Sequence, residues 1–202
     1  MNEEEVLAEF RAAGALLEGH FILSSGLHSP RYLQCARMLM DPARASRLAS
    51  ALAATMPRDL RAAIDLVVSP AMGGVIIGHE MGRALGREAL FVERPRGVFE
   101  LRRGFRIAPG QKVLLVEDVV TTGLSSREAM KTVAEEGGEV IAAAALVDRS
   151  GGEADLGVPF FPLVRLVVPA YPAESLPPEL AALPAEKPGS RKAPALSEVE
   201  GA

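Results

Sequence analysis

Apolar residues recur along this chain with two different periods, and the period changes at glycines, prolines and short polar clusters. From Glu3 to about Glu18, residues Val6, Leu7, Phe10, Ala13 and Leu17 fall at helical spacing, which predicts a first helix. Phe21 to Leu33 breaks that period and reads as two short extended pieces around a Ser-Gly turn. Asp41-Pro42 opens a second helix, with Asp at the cap, Pro in the first turn, and Leu48, Leu52 and Met56 on the core face.

Strands and helices then alternate. Ile64 to Val68 is a short apolar strand, followed by the loop Ser69-Pro70-Ala71-Met72-Gly73-Gly74 and a helix from about Val75 to Leu85 that Gly86 stops. Ala89 to Val92 is the next strand. Val113 to Val116 is another, and the helix after Ser125 runs to about Glu136 and ends at Gly137-Gly138. Val140 to Val147 is a further buried strand that closes on Asp148-Arg149. This order predicts an α/β fold with a mostly parallel, twisted sheet flanked by helices. From about Ala170 the chain becomes rich in Pro, Ala and charge, and its last part is expected to be mobile.

The run Val113 to Ser125 carries the most chemistry. An apolar strand ends in two carboxylates, Glu117 and Asp118, and then passes through Val119, Val120, Thr121, Thr122, Gly123 and Leu124 to Ser125. In an open parallel sheet the carboxyl ends of the strands hold ligands. Hydroxyls, a glycine and the unpaired N–H groups of a starting helix suit a phosphate. Carboxylates beside them accept hydrogen bonds from sugar hydroxyls, so a ribose 5-phosphate fits both halves. No Gly-Lys-Ser/Thr follows, which excludes a Walker loop.

At 202 residues the chain suits one domain with a small appendage. A formal net charge of −4 argues against broad nucleic-acid binding. Cys35, the lone cysteine, excludes an intrachain disulfide and fits a reducing compartment as a small buried hydrophobe. The amino terminus is acidic and no apolar run reaches the roughly 18 residues of a membrane span, so a cytoplasmic protein is expected. Arginine far outnumbers lysine, which suits either a thermophile or a GC-rich genome. His20, His28 and His79 lack metal-ligand spacing.

Three strand ends meet on one rim if the sheet is parallel. They carry the Met72-Gly73 loop, a second anion site before a helix; the Glu117 to Ser125 run; and Arg149, which could hold a carboxylate bidentately. Between Arg94 and Arg106 lie five arginines, among them Arg94, Arg102 and Arg103. That segment reads either as a solvated hairpin or as a cationic flap that closes over diphosphate, with Gly97 and Gly104 as flexible points.

The acidic pair before Thr121-Thr122-Gly123 resembles the signature of type I phosphoribosyltransferases. Phe21-Ile22-Leu23-Ser24-Ser25-Gly26-Leu27-His28-Ser29-Pro30-Arg31-Tyr32 is similar to the hood segment of orotate phosphoribosyltransferases. Ser69 to Gly74, Leu101 to Phe105, Asp148-Arg149 and Lys187 to Arg191 extend the likeness over most of the chain. The resemblance implies a type I phosphoribosyltransferase fold within residues 1–170, with a small N-terminal hood mainly in 1–40, a core of about 41–170, and a C-terminal segment 171–202.

It further implies transfer of the phosphoribosyl group of 5-phosphoribosyl 1-diphosphate to orotate, in pyrimidine biosynthesis, by a homodimer with shared active sites. The cofactor implied is Mg²⁺, held mainly through substrate with no direct protein ligand. Glu117 to Ser125, with Met72 and Gly73, match the donor site; Thr121, Arg149 and Tyr32 match orotate contacts. Glu117, Asp118, Arg94, Arg102 and Arg103 match the catalytic groups, the arginines reaching the neighbouring subunit's diphosphate. Relatives carry lysine where Ser24 and Gly73 stand, and lysines and a histidine in the flap. A purine-type transferase of the same fold and a non-catalytic regulator binding the phosphoribosyl ligand or RNA are the rival readings.

Overall fold

The computed structural model describes residues 1–23 and 25–187, in two compact units. The larger, Met1–Leu17 with Leu33–Val167, holds a six-stranded sheet. Its strands are β3 (Leu66–Pro70), β4 (Glu88–Glu93), β5 (Glu100–Leu101), β6 (Lys112–Val120), β7 (Glu139–Asp148) and β8 (Phe160–Arg165), in the order β5-β4-β3-β6-β7-β8. All pairings are parallel except β4 with β5, a short antiparallel edge.

The central strands β3 and β6 carry the unbroken apolar runs Leu66–Val68 and Val113–Val116 because both faces are covered there. Leu66, Val68, Val113 and Leu115 pack with Ala129 and Val133 of helix α6 (Leu124–Glu135). Strand alternation turns Val67, Leu114 and Val116 to the other face, where helix α5 (Gly74–Leu85) lies on β3, β4 and β6. Gly74 and Gly78 permit that approach. A methyl group on Gly74 would stand 3.0 Å from the Val116 carbonyl oxygen, and one on Gly78 would collide with Ser69. Helix α3 (Pro42–Ala54) packs on α5; Asp41 caps it, accepting from Ala43 N at 2.9 Å and Arg44 N at 3.1 Å.

Several elements depart from the sequence pattern. Helix α1 is Glu3–Ala12 and does not reach Glu18. Gly14 at φ +58 breaks it, and Leu17 belongs instead to strand β1 (Leu16–Ile22). Two short helices, α2 (Cys35–Leu39) and α4 (Arg58–Ala63), and the strand β8 carry no strong periodic signal. Pro162 inside β8 is tolerated because that strand is at the sheet edge.

The smaller unit joins Glu18–Tyr32 to the described residues from Val168. Its three-stranded sheet has the order β2-β1-β9, with β2 at His28–Leu33 and β9 at Ala185–Glu186. The two extended pieces expected around the Ser-Gly turn are thus β1 and β2. His20 and His28, on these two strands, hydrogen-bond through Nε2 and Nδ1 at 2.5 Å. The tail expected to be mobile, from Pro188, lies outside the described residues, as does Ser24. No helix among the described residues is long and apolar enough to cross a membrane.

Candidate active site

The carboxyl ends of β3, β6 and β7 face one rim of the larger unit. Strand β6 runs past the expected Val116 to Val120, so the two carboxylates lie within it near its carboxyl end, and its pleat turns them to opposite faces. Glu117, like Val113 and Leu115, faces α6, where it accepts a buried hydrogen bond from Ser126 Oγ at 3.1 Å. Asp118, like Leu114 and Val116, faces the start of α5. There its carboxylate fills the space above Gly73. A methyl group on Gly73 would lie 2.6 Å from Oδ2, 2.7 Å from Oδ1 and 2.8 Å from Cγ.

Burial pushes the Glu117 carboxyl up from its ordinary 4.5 to about 7, and the neighbouring Asp118 charge adds to the rise. The Ser126 hydroxyl and the Arg94 charge act in the opposite direction. Asp118 is also raised by burial, while the backbone N–H groups of Val119 and of Asp118 itself pull it down. Cys35 stays a buried free thiol whose pKa burial raises strongly, with Asp118 adding to that and Arg149 opposing it.

Val120 is buried, and the loop beyond it, Thr121 and Thr122, is exposed. Gly123 turns the chain into α6 with φ +73, which a non-glycine residue rarely adopts, and a methyl group there would meet Leu156 Cδ2 at 2.5 Å. No side chain caps α6 at Gly123, although Leu124 N reaches Thr122 Oγ1 at 3.4 Å. The first-turn N–H groups, with Ser125 exposed beside them, are of the kind that suits an anion. On the other side, the Ala71-Met72 peptide is cis, and Met72 is exposed.

Arg149 sits where β7 ends, and its N–H donates to the Val120 carbonyl at 2.8 Å. That bond ties the start of the Arg149 turn to the residue before Thr121. The Nε of Arg149 is buried and has no partner among the described residues. A guanidinium N–H in that position calls for an acceptor.

The arginine-rich segment folds as a hairpin against β4, with Val92 opposite Leu101 and Glu93 opposite Glu100. Phe99, directly before β5, is buried in the core with Ile107. Arg94, Arg96, Arg102 and Arg103 each meet a carboxylate within the chain. Arg103 clamps Glu93 with bonds of 2.5 and 3.1 Å, and Arg102 stands 3.8 Å from the same carboxylate. Arg94 stacks on Phe99, 4.0 Å from the ring centroid, reaches Ser125 Oγ at 3.3 Å and pairs with Glu128.

A family model for the phosphoribosyl transferase domain matches residues 39–158, more than half of the chain. The protein named orotate phosphoribosyltransferase in Rhizorhabdus wittichii is 76% identical over 96% of this chain and 98% of its own length. The chain belongs to the orotate phosphoribosyltransferase family. Among solved structures, the family's enzyme from Aeropyrum pernix shares 27% identity over 80% of this chain and 93% of its own, with a TM-score of 0.68. The Mycobacterium tuberculosis enzyme in complex with 5-phospho-α-D-ribosyl 1-diphosphate shares 25% identity over 81% and 96%, with a TM-score of 0.60. The fold is accordingly the type I phosphoribosyltransferase fold.

Within this family frame, the larger unit gathers Met72, Gly73, Glu117 to Ser125, Arg94 and Arg149, while Arg102 and Arg103 are held at Glu93. Tyr32 lies on β2 of the smaller unit, its ring 5.9 Å from that of Phe21. Sequence reasoning passed over Ser126, Arg127, Ser150 and Arg165. The signal available for Ser126 was its spacing of nine residues from Glu117. Asp148 was noted only beside Arg149, although it is fully buried and ion-paired to Arg165.

Proposed function

We propose that this chain transfers the phosphoribosyl group of 5-phosphoribosyl 1-diphosphate to orotate, releasing diphosphate and orotidine 5'-phosphate for pyrimidine biosynthesis. The observation that carries this reading is the buried, unpartnered Nε of Arg149 beside the phosphate loop. Orotate has a carboxylate where uracil has a hydrogen, and a guanidinium holds a carboxylate in a charge-assisted pair.

In this reading Thr121 to Ser125 and the start of α6 take the 5-phosphate. Glu117 and Asp118 accept from the ribose hydroxyls, and the Met72-Gly73 loop faces the diphosphate. A ring nitrogen of orotate attacks the anomeric carbon as the bond to diphosphate breaks. The electron pair leaves on the diphosphate and the ring nitrogen gives up its proton, which the departing diphosphate or solvent takes, so no covalent intermediate with the protein forms. Arg102 and Arg103 exchange Glu93 for diphosphate when the hairpin closes on the site of a second copy in a homodimer. Arg94, already at Ser125 of its own chain, serves the 5-phosphate loop.

The donor set fits Mg²⁺ carried by substrate. Glu117 and Asp118 stand on β6 before the phosphate loop, and Mg²⁺ commonly takes one or two carboxylates with substrate phosphates. Glu117 and Asp118 would stand beside the ion, which offsets charge on the leaving diphosphate. The buried free thiol of Cys35 fits a reducing, cytoplasmic setting. The hood of this reading is built on Glu18–Tyr32, whose sheet β9 completes. Turnover of 5-phosphoribosyl 1-diphosphate with orotate, uracil and adenine tests the assignment. Orotate should be preferred strongly, and equal use of uracil would overturn it.

A further inference from the structure

Asp148, the last residue of β7, is completely buried, yet it does not pair with the arginine next to it. Neighbouring residues on a strand face apart. The Asp148 carboxylate instead accepts at Oδ1 from Ser150 N at 2.8 Å and from Ser150 Oγ at 2.6 Å. Its Oδ2 lies 3.4 Å from Nε of Arg165, the residue opposite it on β8. A buried carboxylate costs free energy unless it is hydrogen-bonded and paired, and here both oxygens have partners.

Ser150 is more than a partner for Asp148. Its Oγ accepts from Gly152 N at 3.1 Å and from Ala154 N at 3.0 Å, so one hydroxyl organises the turn that follows Arg149. The far end of the loop is tied by Arg127, which donates to Asp155 O at 2.8 Å and to Thr122 O at 3.1 Å. Arg149 itself has its N–H on Val120 O, and the next residue is fixed on Asp148. The backbone that presents the guanidinium is therefore held on both sides of Arg149, and Asp148 is kept occupied away from it.

We propose that Ser150, anchored on Asp148, is a positioning residue for acceptor selection: it fixes the turn from which Arg149 addresses the acceptor's carboxylate. This rests on the reading of Arg149 given above. The bonds of Ser150 itself run to Asp148, Gly152 and Ala154 and not to the Thr121 to Ser125 loop or the carboxylates of β6, so its effect should fall on the acceptor and spare the donor.

The test measures kcat and KM for orotate, the donor's dissociation constant and Tm for wild type, Ser150→Ala, Ser150→Thr, Arg149→Ala and the Arg149→Ala/Ser150→Ala double variant. Ser150→Ala should raise the orotate KM about tenfold, the size expected for one lost hydrogen bond to a charged group. Donor binding should be unchanged. Ser150→Thr, which keeps the hydroxyl, should restore most of the loss. In the Arg149→Ala background Ser150→Ala should add nothing, because residues that act through one another are not additive. An undiminished Ser150→Ala effect in that background, an equal loss of donor binding, or no rescue by threonine at unchanged Tm would each overturn the proposal. An orotate KM indifferent to Arg149→Ala would sink the Arg149 reading itself, and the proposal with it.

Discussion

The carboxylate of Asp118 occupies the space that a side chain at Gly73 would need, with Oδ2 2.6 Å from where a Cβ would stand. Gly73 has φ −59 and ψ −42, values open to any residue. Its role is therefore vacancy, not backbone freedom. Gly73→Ala should move the Asp118 carboxylate without straining the chain. A displacement of about 1 Å at a reacting centre can cost on the order of a hundredfold. We expect kcat/KM for the donor to fall roughly ten- to hundredfold with Tm nearly unchanged. Wild-type kinetics in this variant would mean that Asp118 does not act from this position.

Donor binding should depend on pH through Glu117. Burial and Asp118 raise its pKa from 4.5 to about 7 in the free protein, and only the ionised form is a full acceptor for ribose hydroxyls. The donor's dissociation constant should tighten between about pH 6 and 8 with release of a proton, measurable by calorimetry in buffers of different ionisation heat. A flat profile would remove Glu117 from the binding site.

The same shift makes a stability prediction. The folded pKa lies above the unfolded one, so the favourable contribution is fully present below about 4.5 and is lost as pH rises through about 7. Glu117→Gln keeps an acceptor for Ser126 and cannot ionise. It should raise Tm at pH 8 relative to wild type, much less at pH 5, and weaken turnover at both. Thermal scans at the two pH values decide this.

Arg149→Ala should lower kcat/KM for orotate by about one to two factors of ten, since a charge-assisted contact is worth roughly 1.5–3 kcal/mol. The donor's dissociation constant should hardly move, because Thr121 to Ser125 are a separate set of donors. Parallel losses on both substrates would make Arg149 a support for the loop only.

Contribution across a dimer can be tested by mixing. Asp118→Asn and an Arg102→Ala/Arg103→Ala variant should each be weakly active alone. Hybrid dimers would hold one intact composite site, so the mixture should regain part of the activity. With subunit exchange verified by mass spectrometry, no gain would confine Arg102 and Arg103 to their own chain, where Glu93 already holds them.

Much of the rim was legible in the residues alone. Strands buried on both faces are unbroken apolar runs, so β3, β6 and β7 stood out, as did the Asp41-Pro42 start of α3 and the Gly86 end of α5. Local signals of this kind depend on neighbours in the chain. The short elements α2, α4 and β8 depend on packing, and Pro162 masks the last of these. The clamp of Glu93 on Arg103, ten residues apart, needed the β4–β5 pairing to bring the two together.

By itself the sequence determined that Glu117 and Asp118 end a buried strand beside a phosphate-type loop, and, through the two-residue period of any strand, that they must face apart. Only the tertiary structure decided what each one meets. Placing α6 on one face gave Glu117 the Ser126 hydroxyl and a buried, weakly acidic setting. Placing α5 on the other set Asp118 over Gly73. Likewise Arg149 follows Asp148 in the chain, but Asp148 finds its partners in Ser150 of the next turn and Arg165 of a neighbouring strand, and the buried Nε of Arg149 has none among the described residues. Sequence spacing carries the periodicity of an element, whereas the partner across a sheet or under a helix is chosen by long-range packing.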